Sequence, residues 1–163
     1  MNERAKEIID VINEVVSMKD VQPGYPDANG NTNVTWCNRA LHRMLTWLDG
    51  KASLICEPRG IGWTNANAMV RNSRANLTRI PDGREAQSRA STGELVIAVA
   101  PNDRGPGHVA LVCFDENEYR ETSGPKIGQA GARNGIMYTS QGFAHLFGLV
   151  EYYVVPLENA CSA

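Results

Sequence analysis

The stretch Thr35-Trp36-Cys37-Asn38 places a cysteine at the start of an amphipathic helix, and this helix decides the expected fold. The pattern predicts a helix over roughly residues 36–48, because apolar residues recur at helical spacing after a loop rich in Asn and Gly. Thr35 or Asn33 is expected to cap its first turn. Unpaired backbone N–H groups and the helix dipole favour thiolate over thiol at this position. The sequence therefore predicts that Cys37 is a nucleophile.

About seventy residues later, a histidine begins an apolar strand that is predicted over residues 108–114. Side chains alternate along a strand, so His108 lies on the face opposite to Val109. The turn-forming run at 102–107 puts His108 at the mouth of this strand. An imidazole beside a thiolate can act as general base and then as general acid. The alternative is a small cysteine in a helix core and an ordinary surface histidine.

Three motifs resemble the bacterial and phage cell-wall cysteine hydrolases of the papain-like superfamily, the NlpC-like and CHAP (cysteine, histidine-dependent amidohydrolase/peptidase) groups. They are TWCN at 35–38, GHVALV at 107–112 and IGQAG at 127–131. In that family the chain order is nucleophilic cysteine, histidine, and a polar residue on the following strand that orients the imidazole. The resemblance spans roughly residues 30–155. It implies that Cys37, His108 and, by position, Gln129 are the catalytic residues.

The third position departs from the family's commoner choices, which are His, Asn, Asp or Glu. Gln129 can accept a hydrogen bond from the imidazole through its side-chain carbonyl, which fixes the tautomer. As a neutral group, it stabilises imidazolium less than a carboxylate would. Asn134, in the segment Gly131-Ala132-Arg133-Asn134-Gly135, is the competing candidate. Strand alternation favours Gln129, since Asn134 has the surroundings of a turn residue.

The resemblance implies a peptidoglycan hydrolase that cleaves an amide bond through a thioester on Cys37, with no metal or organic cofactor. Sequence does not choose between an N-acetylmuramoyl-L-alanine amidase and a stem-peptide endopeptidase. Such a chain resembles a phage lysin or an antibacterial effector, for which an immunity or inhibitor protein is an expected partner. Two alternatives stay open. One is a papain-like protease, deamidase or transglutaminase-like enzyme that acts on protein, and the other is a noncatalytic binding module.

Length, charge and hydropathy limit the classes of protein to which the chain can belong. The 163 residues suit one domain, with residues 1–20 as an additional N-terminal helix. A net charge of −2 with scattered Lys and Arg argues against a nucleic-acid partner. No apolar run approaches the ~20 residues of a membrane span, and acidic residues interrupt any signal-peptide pattern near the N-terminus. We therefore expect a chain made in the cytoplasm without a signal peptide, which acts in the periplasm or cell wall after release or non-classical export.

The remaining pattern predicts the other elements of the fold. Helices are expected at 3–18, 63–76 and 140–147 with a short helical turn at 85–89, and strands at 94–100, 119–122, 126–130 and 151–155. Helices first and strands afterwards favour an α+β domain with an antiparallel sheet, on which the helix of the nucleophile packs. This arrangement agrees with the papain-like resemblance. The four cysteines form no C-x-x-C pair and no metal-like cluster with the three histidines.

Overall fold

The computed structural model describes residues 1–56 and 64–159. In these residues the chain forms five α-helices and one six-stranded antiparallel sheet, so the predicted α+β class is confirmed. The helices are α1 (Glu3–Val16), α2 (Cys37–Trp47), α3 (Ala66–Asn76), α4 (Gly83–Ser91) and α5 (Thr139–Phe143). The strands are β1 (Thr78–Ile80), β2 (Leu95–Ala100), β3 (His108–Val112), β4 (Lys126–Gln129), β5 (Gly135–Tyr138) and β6 (Glu151–Val155). Their order in the sheet is β1-β6-β2-β3-β4-β5.

Helices cover both faces of the sheet. Strand β2 is buried at every position, as expected for a strand with a core on each side. On one face, which we call the α2 face, alternate sheet residues such as Val109 and Leu111 pack against α1, α2 and α3. On the other, the α5 face, Ala110 and Val112 pack against α4 and α5.

Helix α1 packs tightly against the sheet through a stripe of aliphatic side chains. Asn2 caps the helix by accepting a hydrogen bond from the Ala5 backbone N–H at 2.8 Å. Ile8, Ile12 and Val15 are fully buried on one side, as the helical period requires. Ile12 lies directly over Gly128 of β4, and a Cβ at this glycine would collide with its side chain. The close approach of α1 to β4 thus depends on a glycine.

Several predicted elements differ from the structure. The strand predicted at 119–122 is wrong, because this segment forms turns in which Arg120 O accepts the backbone N–H groups of Ser123 and Gly124. The helix predicted at 140–147 ends at Phe143, since the next residue has φ 49° and a 3₁₀ turn follows. Strands β1 and β5 were not predicted, and α4 is longer than the predicted turn. Residue 63 and the glycine-rich break at 60–62 lie outside the described residues. In the described part of the chain, no helix is both long enough and apolar enough to span a bilayer.

We expect Gly128→Ala to lower the free energy of unfolding by about 1–3 kcal/mol, because the new methyl group overpacks against Ile12. In an Ile12→Ala background, the same substitution should cost much less, since the methyl group then fills vacated space. Urea unfolding of the four proteins in this double-mutant cycle measures the coupling. Equal costs in both backgrounds would show that α1 does not pack on β4 in this way.

Candidate active site

Cys37 is the first residue of α2, and only 6 % of it is exposed. The residue before it, Trp36, occupies the cap position without a side-chain capping bond, so the predicted caps Thr35 and Asn33 do not form. The Trp36 indole N–H instead donates to the Tyr25 carbonyl at 2.9 Å, and the Arg39 guanidinium lies 3.8 Å from the ring centroid. These contacts fix the chain immediately before the thiol.

The surroundings of the Cys37 thiol have opposing effects on its pKa. Hydrogen bonds with the backbone of Val109, Asn38 and Cys37 itself lower it, so the donors are backbone N–H groups that stabilise a thiolate. Burial has the larger effect and raises the pKa to about 11. Burial therefore opposes the predicted thiolate in the free protein, and the thiolate stays a prediction.

His108 begins β3 and pairs with Ala100 of β2. Its ring meets Phe143 edge-on, with 4.7 Å between the ring centroids. Its Nε2 lies 2.5 Å from the side-chain oxygen of Gln129. Burial lowers the pKa of His108, and the bond to Gln129 opposes this effect. At neutral pH the imidazole is uncharged, and its Nδ1 is free to accept a proton if Nε2 carries the hydrogen.

Gln129, the last residue of β4, makes the contact with the imidazole that the sequence analysis expected of the third residue. It is only 4 % exposed, and its Nε2 donates to the Arg133 carbonyl at 3.1 Å. Asn134 does not contact the imidazole. Its Oδ1 accepts from the Gly131 N–H, and its Nδ2 donates to the carbonyls of Val16 and Val21. The structure brings Gln129 and His108 together and uses Asn134 elsewhere.

The thiol and the imidazole lie toward opposite faces of the sheet. Cys37 belongs to the core of the α2 face, whereas Phe143, which contacts His108, belongs to the core of the α5 face. The ladder between β3 and β4 ends at the Leu111–Gly128 pair, so His108 and Gln129 lie beyond its end.

The Cys37 thiol contacts strand β3 at the backbone amide of Val109. Cys113 donates its N–H to Lys126 of β4, and alternate residues of a strand direct their N–H groups to the same side, so Val109 also points toward β4. Lying beyond the end of the ladder, this amide is available to the Cys37 thiol. The thiol therefore lies beside Val109, the residue that follows His108 in β3. Among the described residues, no hydrogen bond joins the two side chains directly.

Asn67, in the first turn of α3, holds the loop that leads into His108. Its Oδ1 accepts the Asn102 N–H at 3.0 Å, and its Nδ2 donates to the carbonyls of Asn102 and Gly105 at 3.2 and 3.0 Å. A Cβ at Gly107 would lie 2.6 Å from Asn67 Oδ1 and 2.7 Å from the Ala100 carbonyl. The sequence analysis missed this clamp, because an Asn near the start of a helix is most simply a capping residue.

A groove of about 390 Å³ borders the start of α2. Its lining is mixed, with the aromatic Trp36 beside charged and amide side chains. The lining residues are Asp27, Ala28, Asn29, Val34, Thr35, Trp36, Asn38 and Arg39. Two clefts of similar size share Glu118 and Tyr119, and, like the groove beside α2, they are lined by none of the three candidate residues. The groove is bordered by Trp36 and Asn38, the residues on either side of Cys37.

Metal-ligating side chains do not cluster in the part of the chain that the structure describes, where no group of three His, Cys, Asp or Glu residues could hold an ion. The chain matches no protein-family model, and no curated protein matches it. The assignment of a function therefore depends on the motifs and on the geometry of the site.

Replacement of Gly107 tests the clamp on the loop before His108. We expect Gly107→Ala to lower the free energy of unfolding by about 1–3 kcal/mol, because its methyl group meets both Asn67 and the Ala100 backbone. Gly105→Ala is the matched control, since the nearest atom to its methyl group would be Asn102 Nδ2 at 3.3 Å. Urea unfolding compares the two variants, and equal stabilities would argue against the clamp.

The pH dependence of alkylation tests the protonation state of Cys37. Because burial raises its pKa to about 11, iodoacetamide should label Cys37 slowly at pH 6–7, with a rate that rises with pH beyond pH 9. Peptide mass spectrometry follows the labelling of each cysteine, and Cys37→Ser is the control for assignment. Rapid labelling of Cys37 at pH 6 that does not change with pH would instead indicate a preformed thiolate–imidazolium pair.

Proposed function

We propose that this protein is a papain-like cysteine hydrolase that cleaves an amide bond in peptidoglycan. One observation carries the proposal. Cys37, at a helix N-terminus, is hydrogen-bonded to the backbone N–H of Val109. Val109 follows His108, whose Nε2 is bonded to the side-chain carbonyl of the buried Gln129. Nucleophile, base and orienting group occur in this order and arrangement in acyl transfer by cysteine enzymes. The three motifs of the sequence support the same class.

The first half of the reaction forms a thioester. His108 takes the thiol proton on Nδ1 as the Cys37 sulfur attacks the carbonyl carbon of the substrate amide. Burial raises the pKa of Cys37 and lowers that of His108, which favours a proton transfer that accompanies the attack. Backbone N–H groups at the start of α2 stabilise the negative oxygen of the tetrahedral intermediate. The imidazolium then gives its proton to the departing amine, and the C–N bond breaks.

The second half of the reaction returns the enzyme to its starting state. Water replaces the amine, and His108 accepts one of its protons as the hydroxyl oxygen attacks the thioester carbonyl. The C–S bond breaks, the carboxylic acid leaves, and the proton returns to Cys37. Gln129 keeps the same role in both halves, because its carbonyl holds Nε2–H while Nδ1 exchanges protons. The cycle consumes one water.

The groove beside α2 supports a polar, peptide-containing substrate. Asp27 and Arg39 offer opposite charges, and Asn29 and Asn38 offer amides, next to the aromatic ring of Trp36. Substrate choice within the cell wall stays open between the bond that joins muramic acid to the first alanine and bonds within the stem peptide. A lysin or effector role, action in the periplasm or wall, and an inhibitor or immunity partner belong to the same proposal.

Digestion of purified sacculi tests the function. The wild-type protein should release soluble fragments, and Cys37→Ala should lower the rate more than about 10³-fold, because the thioester cannot form. Cys56→Ala is the matched control, since this partly buried cysteine precedes α3 and takes no part in the reaction. Mass spectrometry of the fragments identifies the bond that is cut.

Either of two outcomes of the digestion would contradict the proposal. Equal release by the wild type and Cys37→Ala would exclude a cysteine mechanism. No release by the wild type from sacculi of several wall types would exclude peptidoglycan as the substrate. Protein substrates would then be tested with the same pair of variants, and inactivity on both would favour a binding module.

A further inference from the structure

The side chain of Asn134 joins the turn after β4 to the end of α1 and to the segment that follows α1. Its Nδ2 donates to the carbonyl of Val16, the last residue of α1, at 3.2 Å, and to that of Val21 at 3.0 Å. Its Oδ1 accepts the N–H of Gly131 at 3.0 Å. Each bond joins the side chain to backbone, so Asn134 fixes the path of the turn between Gln129 and β5.

The same turn carries the carbonyl that orients Gln129. Arg133, the residue before Asn134, offers its backbone oxygen to Gln129 Nε2 at 3.1 Å. A carbonyl oxygen only accepts hydrogen bonds, so the end of the Gln129 amide that faces Arg133 must be its NH₂ group. The amide oxygen therefore faces His108, which is the contact observed at 2.5 Å.

This orientation determines where the proton lies on the imidazole. The Gln129 oxygen can only accept, so His108 Nε2 must donate and must carry the hydrogen. In the neutral ring, the lone pair is then on Nδ1. A reversed amide would present two N–H donors to Nε2 and would favour the opposite tautomer, with the hydrogen on Nδ1. In the proposed reaction Nδ1 is the general base, and it has a free lone pair only when the Gln129 oxygen faces Nε2.

Close packing restricts the conformations that the Gln129 side chain can adopt. A Cβ at Gly142 would collide with its side-chain carbonyl, and one at Gly131 would lie 3.3 Å from both Gln129 Nε2 and His108 Cε1. The side chain is 4 % exposed, so solvent offers few alternative partners. The Arg133 carbonyl is therefore the group that distinguishes the two ends of the amide.

We propose that Asn134 is a positioning residue that sets the tautomer of His108 through the Arg133 carbonyl and the Gln129 amide. It touches neither the imidazole nor the groove of the substrate. Its three hydrogen bonds hold the turn so that the Arg133 oxygen stays against Gln129 Nε2, and Nδ1 of His108 stays unprotonated. The effect on turnover rests on the proposed function, whereas the effect on the tautomer does not.

The experiment measures the His108 tautomer directly, by ¹⁵N NMR of the imidazole above its pKa. In the wild type, Nε2 should carry the hydrogen, and the Nε2–H proton should exchange slowly because its acceptor is buried. In Asn134→Ala, the ¹⁵N shifts of the two ring nitrogens should move toward each other, and this proton should exchange faster. Turnover on the peptidoglycan substrate should fall about tenfold with KM nearly unchanged, since positioning of the base is lost and not binding.

Asn72→Ala is the matched control. Asn72 is also partly buried, and its Nδ2 donates to the Ile55 carbonyl at 2.9 Å, which joins α3 to the segment before it. Loss of this bond should leave the His108 tautomer and KM unchanged. If Asn134→Ala does not fold, the isosteric Asn134→Asp keeps the acceptor for Gly131 and removes both donors, so it tests the same link.

The outcomes separate this proposal from the proposed function. A wild-type ring that carries its hydrogen on Nδ1 would overturn the positioning role, and so would an unchanged tautomer in Asn134→Ala, whatever happens to turnover. If the wild type leaves sacculi intact, only the proposed peptidoglycan hydrolysis is contradicted, and the positioning role of Asn134 is not. In that case the NMR comparison still decides whether Asn134 controls the proton on His108.

Discussion

The hydrogen bond between His108 and Gln129 joins the first residue of β3 to the last residue of β4, beyond the end of their backbone ladder. At this point the strands separate, so a pair of side chains replaces the backbone bonds that would otherwise hold them. A buried polar pair is stable only if its groups are satisfied. The clamps formed by Asn67 and Asn134 and the glycines that leave room for Gln129 therefore all serve the geometry of this one bond.

Burial has the same consequence for both partners in the proposed reaction. It raises the pKa of Cys37 to about 11 and lowers that of His108, so each group prefers its neutral form. In the proposed reaction, the thiol proton moves only as the sulfur attacks the substrate carbonyl. The backbone amides around Cys37 then stabilise charge as it develops.

Local pattern was sufficient to predict the elements that carry the candidate residues. The apolar periods of α1, α2, β2 and β3 are strong, and the alternation of β4 aims Gln129 at the imidazole, as observed. The pattern fails where structure depends on distant partners. Strand β1 has three residues, and its pairing with β6 is invisible locally. The thiolate prediction could not take burial into account, since the first turn of a helix indicates free amides but not how deeply the thiol is buried.

The supporting residues are the least predictable part of the site, although they are ordinary in type. Asn67 acts on a loop 35 residues away in sequence, and Asn134 acts on carbonyls more than a hundred residues away. Each side chain accepts a hydrogen bond from a backbone N–H and donates to two backbone carbonyls. A carboxylate or a hydroxyl could not make all three bonds. An asparagine beside a glycine is a turn signal in sequence. At Asn134 the turn itself is functional, because the carbonyl that it presents selects which end of Gln129 faces the imidazole.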